Sequence, residues 1–115
     1  LLGNEHPHTL TARGNLATSY LRAGRANDAV NLLEHVLAEC EQLLGNEHPH
    51  TLTTRANLAI TYRQAGRAND AINLLEHVLA DRERLLGNEH PDTRSARDAL
   101  SRWRSAGGGS GEHPL

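Results

Sequence analysis

The sequence has no phenylalanine, no methionine and no lysine, and its 115 residues include one cysteine, one tryptophan and two tyrosines. Without Phe or Met, a core must be assembled from Leu, Ala, Val and Ile. The lone Cys40 excludes an internal disulfide framework. No apolar run reaches the roughly 18 residues that a membrane span requires, and no signal-peptide pattern opens the sequence, so no membrane partner and a cytoplasmic location are expected. All twelve basic residues are arginine, scattered among fourteen acids for a net charge of −2. No basic stripe is present to recruit a nucleic-acid backbone.

What is present is a repeat. LLGNEHPHTLT begins at Leu1 and again at Leu43, and LLGNEHPDT begins at Leu85, a period of 42 residues; residues 1–42 and 43–84 differ at only ten positions. Such a period means one supersecondary unit copied and stacked, each copy burying an apolar face that it could not bury alone. Inside a unit, Leu10, Leu16, Ala17, Tyr20 and Ala23 recur at helical spacing, and Ala29, Leu33, Val36, Leu37 and Leu44 form a second apolar stripe. Gly24 breaks between the two helices. Pro49 suits the first turn of the next helix, where its missing N–H has no partner to lose, and Gly45 can take the left-handed conformation that ends the preceding one. The spacing predicts helices at 7–23, 26–44, 49–65, 68–86 and 91–105: an all-α solenoid of helical hairpins. The units are 1–42, 43–84 and a half unit 85–106 acting as a C-terminal cap, followed by a flexible Gly-rich tail at 107–115.

Leu16, Ala17, Tyr20, Gly24, Ala29, Leu33 and Val36, repeated as Leu58, Ala59, Tyr62, Gly66, Ala71, Leu75 and Val78, resemble the tetratricopeptide repeat signature. The 42-residue period, the NLA of Asn57 to Ala59 and the LGNEHP loop are similar to the longer variant of kinesin light chains and of bacterial signalling proteins. Two departures stand out. Arg13 and Arg55 replace the usual aromatic before the first-helix leucine, and Glu41 and Glu83 replace the proline that ends the second helix, which should therefore run longer. The resemblance implies a right-handed superhelix whose concave groove, lined by the first helix of each pair, binds a peptide or protein segment. It also argues against a chaperone-tail ligand: the Lys and Asn of that clamp correspond here to Gly14 and Thr18, then to Ala56 and Ile60.

Six of the ten differences between the copies fall in the first helix, at Ala12/Thr54, Gly14/Ala56, Thr18/Ile60, Ser19/Thr61, Leu21/Arg63 and Arg22/Gln64. At 100° per residue, positions 14, 18, 21 and 22 share a face roughly opposite Ala17 and Tyr20. The expected protein-binding residues are therefore Gly14, Thr18, Leu21, Arg22, Ala56, Ile60, Arg63 and Gln64, with Asn15 and Asn57 on the flank able to hydrogen-bond an extended backbone. Drift of an exposed helix face would produce the same divergence. Arg55 and Asp70 read as structural, the acid near a helix start and the arginine bridging to a neighbouring helix.

Nothing points to catalysis, a metal or a cofactor. Seven of the eight histidines belong to repeated positions. Equivalent loops of successive units should lie about 20 Å apart, given helix separations of roughly 8–10 Å. One His pair per loop is too few for a closed tetrahedral site. Cys40 corresponds to Arg82, so its position should tolerate a long polar side chain and needs no thiol, and GGGSG at 107–111 lacks the lysine and strand context of a phosphate loop. In the half unit, Leu10 becomes Arg94 and Tyr20 becomes Arg104 while Leu16 is kept as Leu100, as though the side facing an absent second helix had turned polar; Trp103 has no evident reason. The front, Leu1 to Gly3, looks like the end of an earlier second helix without polar protection. Head-to-tail self-association is accordingly the alternative to groove binding.

Overall fold

The structure, a computed structural model, describes residues 7–110, with side chains described for Arg13 and for residues 15–106. Five helices follow one another: α1 (Pro7–Arg22), α2 (Ala26–Leu44), α3 (Pro49–Gln64), α4 (Ala68–Leu86) and α5 (Pro91–Ser110). They agree with the expected spans to within a residue except at the end of α5. Residues 107–110, expected in a flexible tail, continue that helix. The remainder of the expected tail and the front residues Leu1 to Gly3 lie outside the described residues.

The hairpin turns repeat their chemistry. The N–H of Arg67 donates to the Tyr62 carbonyl at 2.8 Å and that of Gly66 to the Arg63 carbonyl at 3.1 Å, a paired closure that requires a left-handed residue at Gly66, where φ is +82°. The Arg67 guanidinium lies 4.5 Å from the centre of the Tyr62 ring while its Nε donates to Asp70 at 2.9 Å, tying the turn to the first turn of α4; Arg25, Tyr20 and Asp28 repeat this in the first unit. Between hairpins the solution differs. Gly45 takes the expected positive φ, 95°, but with ψ at 161°, so it leaves α2 extended and not as a left-handed helical cap. The chain then re-enters a helix at His48, whose Nδ1 accepts the N–H of His50 at 3.0 Å just before Pro49 begins α3. His90 does the same for Asp92.

Consecutive helices pack on each other, and α1 also touches α3 directly. The molecule measures 54 × 36 × 18 Å. Since a helix with its side chains is about 10 Å across, the short dimension holds two helix layers, α1, α3 and α5 in one and α2 and α4 in the other. Alanines with almost no exposure, Ala17, Ala29, Ala59 and Ala71, allow this close approach where no bulky aromatic is available. The core is built in modules of three helices. Ala17, Ala29, Val30, Leu33 and Leu58 join α1, α2 and α3; Ala59, Ala71, Leu75, Val78, Ala96, Leu100 and Trp103 join α3, α4 and α5. Each module thus borrows the first helix of the next unit, the physical form of a unit that cannot bury its face alone.

Arg55 staples neighbouring units. Only 8% exposed, it donates from Nη2 to Glu41 on α2 and from Nη1 to Asp81 on α4, both at 3.0 Å. Arg13 pairs with Glu39 in its own unit and Arg97 with Glu83 on the preceding helix, so each flanking copy keeps half of the bridge. In the third unit, Arg104 reaches back to Glu76 on α4, the place where Tyr62 in the unit before donates to Glu34 at 2.6 Å. Its guanidinium thus keeps a carboxylate contact with the preceding helix.

Candidate interaction surface

Ala17 is buried and Tyr20 half-buried, and the face of α1 and α3 that diverges between copies is largely turned to solvent. Asn15, Thr18, Arg22, Asn57, Ile60, Arg63 and Gln64 are exposed, whereas Leu21 and Ala56 are half-buried against the core modules. Gly14 lies within α1, with its exposure outside the described residues. These positions, hereafter the strip, lie along α1 and α3, two helices that touch. Ile60 is 43% exposed, a branched apolar side chain on α3. Arg63 is partly committed, its guanidinium resting 5.4 Å from the centre of the Trp103 ring. Among the described residues, the amide side chains of Asn15 and Asn57 make no hydrogen bond; the nearby hydroxyls of Ser19 and Thr61 turn inward to the backbone carbonyls of those same residues.

Three clefts among the described residues lie elsewhere, and none of the expected residues lines them. One of about 380 Å³ separates α2 from α4 in the other layer, floored by Leu58 and Tyr62 of α3. A second of about 490 Å³ adjoins it, sharing Leu37, Glu41, Leu74 and His77. A third, about 250 Å³, lies where the start of α3 meets the end of α4, around Leu52, Leu85 and Leu86. The first two depend on the distance between second helices of successive units, a quantity that periodicity within one unit does not report.

Local chemistry around the first cleft is fixed by burial. Tyr62 is pushed up to about 12, first by burial and then by its hydrogen bond to Glu34, whose carboxylate favours the neutral phenol. Cys40 has no exposed surface. Burial pushes its thiol up, and its Sγ lies 3.8 Å from the Thr54 hydroxyl. Arg82, its counterpart, is half-buried and extends its guanidinium outward to the Asp92 carbonyl at 3.2 Å. No three of the described His, Cys, Asp and Glu side chains converge as a metal-binding group. His48 and His50 are stacked, 5.6 Å between ring centres, with His48 serving as a helix cap.

Stacked helical hairpins of fixed period, each module completed by the next, define a helical-repeat solenoid. The tetratricopeptide repeat model matches residues 8–84, and the chain belongs to that family. Among solved structures, it is similar to a Podosopora anserina protein of nearly identical TPR-like repeats, named for kinesin light chain. The two share 36% identity over 90% of this chain and 49% of that one, with a TM-score of 0.80; a single-substitution variant of that protein gives 0.81. BtubC (BKLC) from P. vanneervenii shares the fold, at 22% identity over 85% of this chain and 39% of that one, with a TM-score of 0.75. The chain spans about half the length, 49%, of the first two. No curated protein matches it. Repeats of this family generally mediate protein–protein interaction and are typically non-enzymatic scaffolds. Among the described residues, no helix is long and apolar enough to cross a membrane.

Proposed function

We propose that the chain is a protein-interaction scaffold, a piece of a longer repeat array of the kind found in bacterial cytoplasmic signalling proteins, that holds a peptide or extended protein segment along the strip formed by α1 and α3. The observation that carries this reading is the coincidence of divergence with exposure. The copies differ at Thr18/Ile60 and Arg22/Gln64, exposed in both, and at Leu21/Arg63, exposed in the second, while Ala17/Ala59, Ala29/Ala71, Leu33/Leu75 and Val36/Val78 of the core are identical. Ile60 would supply an apolar contact and the Asn15 and Asn57 amides the backbone hydrogen bonds that register an extended segment. The mechanism is binding without catalysis.

The test selects binders from a displayed random-peptide library and measures them against Ile60→Asp and Asn57→Ala. At least a tenfold loss of affinity in either variant supports the strip; peptides that bind both variants as well as the parent chain overturn it.

A second reading has its own observation. Leu16 is 46% exposed, whereas its counterparts Leu58 and Leu100 are 3% and 4% exposed. This apolar edge of α1 is suited to self-association through an uncovered repeat end, head to tail with another copy. Sedimentation velocity over a hundredfold concentration range tests it: mass rising with concentration in the parent but not in Leu16→Asp supports the reading, and a constant monomer mass rejects it.

A further inference from the structure

We infer that the exposed edge of α1 around Leu16 is a docking site for one amphipathic helix with the pattern of α2 and α4, supplied by another repeat chain. The inference rests on the second reading's premise, that this edge is a contact surface, and names the element that meets it. The repeat carries its own template for the contact. On α3, the equivalent edge is covered by α2 through three contacts. Leu58 enters the module of Ala29, Val30 and Leu33, the Tyr62 hydroxyl donates to Glu34 at 2.6 Å, and Arg55 donates to Glu41 at 3.0 Å. The counterparts on α1 are the same residue types, Leu16, Tyr20 and Arg13. Leu16 is 46% exposed. Among the described residues, the Tyr20 hydroxyl makes no hydrogen bond, and Arg13 pairs only with Glu39 of its own unit, the half of the bridge that Asp81 supplies to Arg55.

What fits this edge is therefore what α2 offers α3: small and branched side chains around a leucine, a carboxylate beside that leucine for the Tyr20 hydroxyl, and a second carboxylate two turns later for the open side of Arg13. Apolar burial of Leu16 supplies the attraction and the two acids fix direction and register, since a helix laid the other way would bring neither to its partner. A first helix offers none of this. α3 contains no acidic residue, and α5 meets its neighbour with Arg97 and Arg104, whose charge would repel Arg13. Within one copy both second helices are already covered, α2 by α3 and α4 by α5, so the occupant is a second helix left open at the end of its own chain.

The experiment titrates three fluorescein-labelled peptides into the full chain: residues 26–44, the same peptide carrying Leu33→Asp, and residues 49–64, a first helix. Saturable binding of the first, at least tenfold weaker for the other two, is expected, with amide shifts in an NMR spectrum falling on Arg13, Leu16 and Tyr20. Replacing both acids of the peptide, Glu34→Gln with Glu41→Gln, should weaken it several-fold. In the chain, Leu16→Asp should lower the affinity at least tenfold while leaving the thermal midpoint near the parent's, because Leu16 is exposed. No saturable binding, equal binding of the first-helix and second-helix peptides, undiminished binding by Leu16→Asp, or shifts confined to α5 would overturn the site. Capture of the peptide by a chain that stays monomeric in sedimentation would keep this site and reject copy-to-copy assembly; mass rising with concentration without peptide capture would do the reverse.

Discussion

Leu58 and Leu16 occupy the same position in successive copies, yet the first is 3% exposed under the preceding hairpin and the second 46% exposed at the edge of α1. The difference arises from the neighbour, not the residue: Leu58 closes the module of Ala29, Val30 and Leu33. Leu58→Ala should therefore lower stability by about 2–5 kcal/mol, the range for buried large-to-small changes. Leu16→Ala should cost less than about 1 kcal/mol. Urea unfolding followed by circular dichroism measures both, and equal costs would contradict the modular core.

Arg55 joins two units through one guanidinium, so its loss should act on their coupling. Arg55→Ala should destabilise by about 1–3 kcal/mol, because charge-assisted bonds to Glu41 and Asp81 disappear, moderated by the partial exposure of both carboxylates. Arg55→Lys should recover less than half of this, since one ammonium cannot span two carboxylates as a planar fork does. The check is the same unfolding experiment, in which Arg97→Ala, holding one carboxylate at 3.4 Å, should show a smaller effect.

Much of this architecture was legible in the sequence because it depends on local spacing. Gly24 and Gly66 mark the turns, Pro49 and Pro91 the helix starts, and Ala17, Leu33 and Val36 the buried face. What depends on a neighbour was not. The bridging role of Arg55 was anticipated as structural, but its two specific partners come from different units, 14 and 26 residues away. The His-Pro loop gave no sign of its role as a helix cap, in which His48 accepts a backbone N–H. The cleft between α2 and α4 left no periodic trace, because it is space between units. The assignment of Asn57, Ile60 and their neighbours to binding rests on divergence between copies, to which the structure adds exposure.

Tyr62 gives a pH signature. Its phenol is held neutral to about 12 by burial and by donation to Glu34, above the usual value near 10. A folded-state value above the unfolded one means that this contribution to stability is complete below about pH 10 and is lost as pH rises through about 12. In Tyr20→Phe, where Tyr62 is the remaining tyrosine, phenolate absorbance should rise with a midpoint near 12. Glu34→Gln should bring that midpoint down, because the acceptor loses its charge.

Gly66 tests the turn without side-chain interference. A Cβ built there meets nothing within 4 Å, so Gly66→Ala should cost only the conformational penalty of φ at +82°, about 1–2 kcal/mol. Gly66→Asn should cost less, since asparagine tolerates that region. A neutral alanine in thermal melts would show that the hairpin can close by another route.

Trp103 should govern the last module and nothing beyond it. At 8% exposure it packs with Ala71, Leu75 and Val78 of α4 and accepts the Arg63 guanidinium over its ring; Thr61, its counterpart one unit earlier, fills the same place with a far smaller side chain. Trp103→Thr removes most of a large aromatic from the end module and should cost about 3–5 kcal/mol there, as for other buried tryptophan truncations. Because the α1–α2–α3 module shares none of these buried residues, the loss should remain local in a repeat array. Hydrogen exchange should quicken across α5 and the facing half of α4 while α1 and α2 keep their protection. Arg63→Ala, which removes only the cation above the ring, should shift the same amides by no more than the equivalent of about 1 kcal/mol. Uniform acceleration of exchange over all five helices would mean that the modules are not separate and that the chain unfolds as one unit.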